Sequence, residues 1–323
     1  MNSIQEFGVE IIQYLQTFHP QLDGVMGFFA TLVKVEYFLV LVFPVIFWNF
    51  KHRFFLKLLI FILADMLLGE TLRILFAQPR PWWIAEMIPI DAVTSVYSSP
   101  SGYSSFSTLF YGAIALHFRK KWVTALSIFF ILATSIAKLY EAAALPDHIL
   151  LGMLQGVFTL WIFTKYGERF VNYWISLPKK KLIVYVMLVC AVSYAITYVA
   201  TVIQLFYDLP ANMVKYKVIP GQRLASGGTP YFIGFLMTAL LSLNLNKISQ
   251  SNMTGLKISL WKRIITNVLG AAIIIIVFIV GRPIVAGLFA NYWYDGIVNL
   301  LFTLFVGWWT YYILPKKIIY KQK

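Results

Sequence analysis

Long apolar runs alternate with short polar breaks along this chain, and the alternation predicts an all-α polytopic membrane bundle. Nine runs read as spans: 35–50, 56–78, 104–118, 122–141, 147–165, 182–207, 229–245, 262–281 and 294–314. Crossing the hydrocarbon core takes about 20 mostly apolar residues in a helix. A helix also satisfies its own backbone polar groups where water cannot. A shorter run, 24–33, reads as a re-entrant piece ahead of the first span. Before it, Ile4, Phe7, Ile11, Leu15 and Phe18 recur at helical spacing, with Glu6, Glu10, Gln13 and Thr17 on the other side. This predicts an N-terminal amphipathic helix, either lying at the membrane interface or packed on the bundle.

Composition removes the soluble alternative. Of 323 residues, 60% are hydrophobic and 12% charged, and mean hydropathy is +0.75. Such a chain has too few charges to clothe a soluble globule of this size. The formal charge of +14 does not point to nucleic acid, because the basic residues sit in clusters between apolar runs. Nineteen of the 27 fall on one side if the spans alternate. The positive-inside rule makes that side cytoplasmic, with the N-terminus outside and the C-terminus inside. Cys190 is the single cysteine and lies in an apolar run, so no thiol pair is available for metal or redox chemistry. Neither metal nor cofactor is expected. The first basic residue is Lys34, so no basic segment precedes an apolar one as in a cleavable leader. The run Lys179–Lys181 is the expected joint between a five-span unit, 1–178, and a four-span extension, 179–323.

Eight basic residues resist the topology bias and fall at or near the outer face: Lys34, Arg73, Arg80, Lys138, Lys215, Lys217, Arg223 and Arg282. Twelve of the 13 acids lie there too, so neutralisation accounts for some of them. Arg73, Arg80 and Lys138 form a more telling pattern. Arg73 is followed after six residues by Arg80-Pro81, and Pro100-Ser101-Gly102-Tyr103 opens the next apolar run. Arginines offer rigid forks of donors, and a Ser-Gly helix start lets backbone N–H groups approach an anion. The pattern suits holding a phosphate. Glu70 stands three residues before Arg73 and can pair with it on one helix face. Trp82 and Trp83 read as interfacial anchors, and the loop 206–229 reads as a solvated loop or a cover for the site.

These segments resemble the three motifs of the type 2 phosphatidic acid phosphatase family in its bacterial membrane branch, where they read Lys-x6-Arg-Pro, Pro-Ser-Gly-His and Ser-Arg-x5-His-x3-Asp. The resemblance implies a bacterial inner-membrane protein whose site faces outward. Its partner would be a lipid with a phosphate or pyrophosphate head group, such as an undecaprenyl or glycerolipid phosphate. It also implies roles. Arg73, Arg80, Ser101, Gly102 and Lys138 correspond to the phosphate-holding positions. Anchoring the third motif on Pro146 and Gly152 puts the family's nucleophilic His at Ala144 and its orienting Asp at His148. The leaving-group acid falls on Tyr103. Every holding position keeps its character, while every nucleophile and proton-transfer position has lost it. Alanine cannot attack phosphorus, so a binder that no longer hydrolyses is the expectation. Two alternatives stay open. One is a divergent hydrolase or phosphotransferase using His148, Asp147 and Tyr103; the favoured reading against it is that His148 caps or packs a helix start and Tyr103 fills the space of the lost His. The other is a transporter, flippase or subunit with a membrane-protein partner, in which Glu36, Asp65 and Glu70 matter more.

Overall fold

The computed structural model describes residues 3–34, 38–49, 52–90, 97–207, 228–245, 260–287 and 292–314. Among them there is no strand. The helices are α1 (Ser3–Gln16), α2 (Asp23–Thr31), α3 (Phe43–Asn49), α4 (His52–Phe76), α5 (Pro81–Ile84), α6 (Gly102–Phe118) and α7 (Lys121–Tyr140). They continue with α8 (Pro146–Ser176), α9 (Lys179–Gln204), α10 (Gly228–Leu245), α11 (Leu260–Ile274), α12 (Arg282–Gly287) and α13 (Tyr292–Trp308). Short π-helical turns precede α3 and follow α11 and α13. The loop 208–227, read above as solvent or cover, and Glu36 lie outside the described residues.

Among the described residues six helices are long and apolar enough to cross a membrane: Lys121–Tyr140, Pro146–Ser176, Lys179–Gln204, Gly228–Leu245, Asn267–Val285 and Tyr294–Ile313. The first three expected spans are helical but differ in kind. Phe38–Trp48 is short, and α6 has 17 residues. Helix α4 has the length, yet Lys57, Asp65, Glu70 and Arg73 interrupt its apolar run. Burial varies among the six as a lipid solvent requires. Within Asn267–Val285 only 12% of the apolar window is buried, against 78% for Gly228–Leu245. The chain is therefore an all-α membrane bundle.

Two compact units interleave along the sequence: 1–35, 68–162 and 199–220 form the first; 36–67, 163–198 and 221–323 form the second. The second is built around α10. Gly234 faces Thr303 and Gly307 faces Thr238 so closely that a methyl at either glycine would overlap the threonine hydroxyl. Small residues facing each other in this way let helix backbones approach. Asn244 donates its amide to the carbonyls of Trp174, Ile175 and Leu177 at 2.7, 3.2 and 2.9 Å. It thereby satisfies the orphan acceptors at the end of α8. Aromatic rings of Phe43, Phe47, Phe55 and Tyr311 pack edge-on or stacked in the same unit.

The first unit holds the motif segments. Helix α1 packs on it through Gly8, Val9 and Ile12 rather than through the predicted apolar row. Ile4, Phe7 and Phe18 of that row remain exposed. Val9 and Ile12 cluster with Ala142 and Leu145. Gln16 donates to the carbonyls of Ile88 and Tyr140 at 2.7 and 3.0 Å, fixing the helix across the loop and the end of α7. The re-entrant piece appears as α2, whose Phe29 meets Phe129 and Phe130 of α7. At its start, the Tyr140 hydroxyl donates to Asp23 at 2.5 Å. That bond, followed by His19, holds the Asp23 carboxyl below its ordinary range. Trp83 is not an interfacial anchor: it is buried against Ala77 and Tyr97, and Trp82 packs beside them.

Candidate functional site

Helix α6 starts where it does because Ser101 is its N-cap. Ser101 is extended (φ −68°, ψ 109°), and its Oγ accepts from the Ser104 N–H at 3.4 Å and from the Ser104 hydroxyl at 3.2 Å. A serine side chain in this role replaces a hydrogen bond that the first turn lacks. The positive end of the helix dipole sits there. Onto that end comes Arg73 from the last turn of α4. A Cβ on Gly102 would overlap Arg73 Nη1, so a side chain there would push the guanidinium aside. The pair expected at i, i+3 is present: Arg73 Nη2 donates to Glu70 Oε1 at 2.5 Å, and both side chains are nearly buried.

Arg80 caps the short helix α5, which starts on Pro81, where a missing N–H costs nothing. Its side chain turns inward and is buried. Nη1 donates to the Ala143 carbonyl at 2.7 Å, and the Ser98 hydroxyl donates to the same oxygen at 3.1 Å. That carbonyl is presented by the end of α7. Ala142 takes the left-handed conformation (φ 52°), its N–H donates to Leu139 O, and the Ala143 N–H donates to Lys138 O. The paired bonds form a Schellman motif, with alanine where glycine is usual.

Lys138, fully buried in the last turn of α7, donates Nζ to Glu141 Oε2 at 2.6 Å. The same ammonium lies 4.1 Å from the centre of the Tyr103 ring, within cation–π range. Tyr103 thus packs beneath the cation. Ala144, which the motif resemblance sets against the family nucleophile, is buried and offers only a methyl.

His148 opens α8 and is tied to the second motif through its backbone, since the Ser101 N–H donates to His148 O at 2.9 Å. Its ring is fully buried, and neither Nδ1 nor Nε2 has a hydrogen-bond partner. Asp147 Oδ2 lies 3.7 Å from Nε2, too far for a hydrogen bond. Arg80 is also within electrostatic reach of the ring. Arg73 Nε, Ser99 Oγ and Asp147 Oδ1 are also buried without a hydrogen-bond partner, as are Thr108 Oγ1 and Gln204 Oε1 elsewhere in this unit.

Helix crossing holds the second and third motifs together. A Cβ on Gly152 would overlap the Ser101 carbonyl, and one on Gly156 would press on Ser105 O and Thr108. Gly152 and Gly156 are four apart, so one face of α8 lets α6 approach to backbone distance. The structure therefore joins Arg73, Ser101 and Gly102 directly, puts Lys138 on Tyr103, and links His148 to Ser101. Arg80 reaches the same unit through Ala143. Sequence reasoning passed over two members. Glu141 stands three residues after Lys138, the same signal that gave Glu70, and could have been found. The Ala143 carbonyl has no sequence signal at all. Asp65 is buried in α4. Among the described residues no group of three or more His, Cys, Asp or Glu is placed to hold a metal ion.

Chemically, the arrangement offers a helix start, guanidinium and ammonium groups and a buried imidazole without a hydrogen-bond partner. An oxyanion is the ligand such groups suit. No curated protein and no solved structure matches the chain. The family model described as the PAP2 superfamily matches residues 54–172, a stretch that begins in α4, ends in α8 and contains every residue of this site. That match makes residues 54–172 similar to the PAP2 superfamily, a phosphatase-like stretch within an all-α membrane bundle.

Proposed function

We propose that this membrane protein binds the phosphate or pyrophosphate head group of a lipid at the outer leaflet without hydrolysing it. One observation carries the reading: the Arg73 guanidinium rests on Gly102 at the start of α6, while the nucleophile position is the buried methyl of Ala144. Holding groups are kept and the attacking group is gone. Arg73, Arg80, Ser101, Gly102 and Lys138 bind; Tyr103 fills the place of a leaving-group acid. The clustering of basic residues supports an outward-facing site in a bacterial inner membrane, with the C-terminus cytoplasmic. Segment 1–178 supplies the site, and 179–323 is a four-span extension.

In the test, purified protein in lipid nanodiscs is titrated with lipid phosphates while released inorganic phosphate is assayed. Binding without release is expected. Arg73→Ala and Arg80→Ala each remove a charged donor, typically about 1.5–3 kcal/mol, and should weaken binding roughly 10- to 100-fold. Unchanged affinity in both overturns the reading. The combined variant Tyr103→His, Ala144→His, His148→Asp restores the family's set and is expected to release phosphate.

A second reading has its own observation. His148 is a buried imidazole with both nitrogens unpartnered, as a displaced nucleophile or base would be, with Asp147 beside it. Turnover by the unmodified protein that His148→Ala abolishes would establish it.

A further inference from the structure

We infer that α1 ties the third motif to the lipid surface, seating one face in the leaflet beside the bundle and bracing segment 142–146 with another. This holds whatever the site binds. Helix α1 and the turn after it divide into three faces at helical spacing. Gly8, Val9 and Ile12 are buried against the first unit. Glu6, Glu10, Gln13 and Thr17 form an exposed polar face. On the third face Ile4, Phe7, Tyr14 and Phe18 are exposed and apolar, Phe7 by 63% and Tyr14 by 66%. A helix between protein and water needs two faces, one apolar and one polar. The third calls for an apolar neighbour.

Depth decides which neighbour. Helix α7 has 20 residues, a length of about 30 Å, which matches the hydrocarbon core. Its end at Tyr140 therefore lies at the membrane–water boundary, and so does the start of α8 at Pro146. Both halves of α1 meet these two ends, so the helix lies along the boundary. A Cβ on Gly8 would overlap Pro146 and press on Leu145, and Gln16 donates to the Tyr140 carbonyl at 3.0 Å. The neighbouring helices carry exposed apolar residues of their own, Val25 and Phe28 on α2 and Phe129, Leu132 and Ile136 on α7. On a bundle in a bilayer these face lipid. Helix α1 holds two acids and no base, so apolar burial rather than attraction to anionic head groups is what it offers a leaflet. Tyr14 and Phe18 pack edge to face with ring centres 5.8 Å apart, and such residues suit the interfacial depth. The braced side is the third motif: Val9 and Ile12 cluster with Ala142 and Leu145, just ahead of Asp147 and His148.

The test puts a fluorescent label on Phe7→Cys or, one residue earlier and on the polar face, on Glu6→Cys. Each variant also carries Cys190→Ala and sits in nanodiscs of neutral phosphatidylcholine. Quenchers on the acyl chains should reach position 7, about 5–10 Å below the boundary, while a water-soluble quencher should reach position 6. Equal access of the water-soluble quencher to both positions overturns the inference. A position 7 shielded from both quenchers also overturns it, and points to a protein partner or a second copy on that face. The unmodified protein decides the matter where a variant does not fold. A lipid with a photoreactive group in its acyl chain should attach to Phe7, Tyr14 or Phe18, and attachment to none of them overturns the lipid contact. The brace is read separately. Phe7→Ser with Tyr14→Ser should speed amide exchange in 142–145 roughly tenfold or more, since burying one such side chain is worth at least that factor. Unchanged exchange there overturns the tie to the motif.

Discussion

Two clusters of buried cations, one in each compact unit, look alike and differ where it counts. In the second unit Arg53 donates to Glu168 and to Asn172 at 2.9 and 2.6 Å, and Lys57 donates to Glu168 at 2.6 Å. Lys57 also sits over the Phe163 ring at 4.3 Å. Each sets buried cations against carboxylates. Yet in the Arg53–Lys57 cluster no buried side-chain atom lacks a partner, and its carboxylate side chain is 54% exposed. In the first unit the paired carboxylates Glu70 and Glu141 are buried, and Arg73 Nε, Ser99 Oγ, Asp147 Oδ1 and both nitrogens of His148 have no hydrogen-bond partner. A satisfied cluster pins helices. One with unmet polar groups has hydrogen-bonding capacity left for a ligand.

The largest effect should come from breaking a fully buried pair. Lys138→Met leaves Glu141 buried without its cation, a loss of about 3–5 kcal/mol, read by unfolding in mixed micelles. Replacing both partners, Lys138→Met with Glu141→Leu, should recover most of it. A double variant no more stable than the single one would show that the pair is not the source.

Next comes Gly152→Val, whose side chain meets the Ser101 carbonyl. Overpacking of this kind costs about 1–3 kcal/mol. It should also open the Ser101–His148 bond, seen as faster amide exchange at Ser101. Normal exchange with full stability would refute the close crossing. Asn244→Leu removes three acceptor contacts at the end of α8 and should cost a similar amount, about 1–3 kcal/mol, with lipid-phosphate binding kept.

Smaller still is Glu168→Gln in the second cluster. A half-exposed ion pair is worth up to about 1 kcal/mol, so Tm should fall slightly and phosphate binding should not change. A large binding loss would erase the distinction between the clusters. The smallest effect is near zero. Ala142 pays about 1–2 kcal/mol for its left-handed backbone, while glycine there would lose about 0.5–1 kcal/mol in chain entropy and about 0.8 kcal/mol from the methyl buried against Val9 and Ile12. Ala142→Gly should therefore leave Tm nearly unchanged.

What the sequence determined by itself was whatever is local or one-dimensional. Apolar run length announces a membrane helix because the bilayer is a slab of fixed thickness. Glu70–Arg73 follows from helical spacing, and Ser101 announces a helix start because a capping side chain acts on its own first turn. Spans carrying buried charge were harder to count, since α4 trades apolar character for the groups the site needs. Tertiary structure decided the rest. Arg80 meets a backbone carbonyl, and every residue has one, so no side-chain pattern could foretell it. Tyr103 lies under Lys138, Trp83 lies under Tyr97, and α1 packs through Gly8, Val9 and Ile12, because those contacts depend on how helices cross. Crossing is set by where backbones can touch. Here that is at Gly152 and Gly156, whose missing side chains let two motifs distant in the chain share one site.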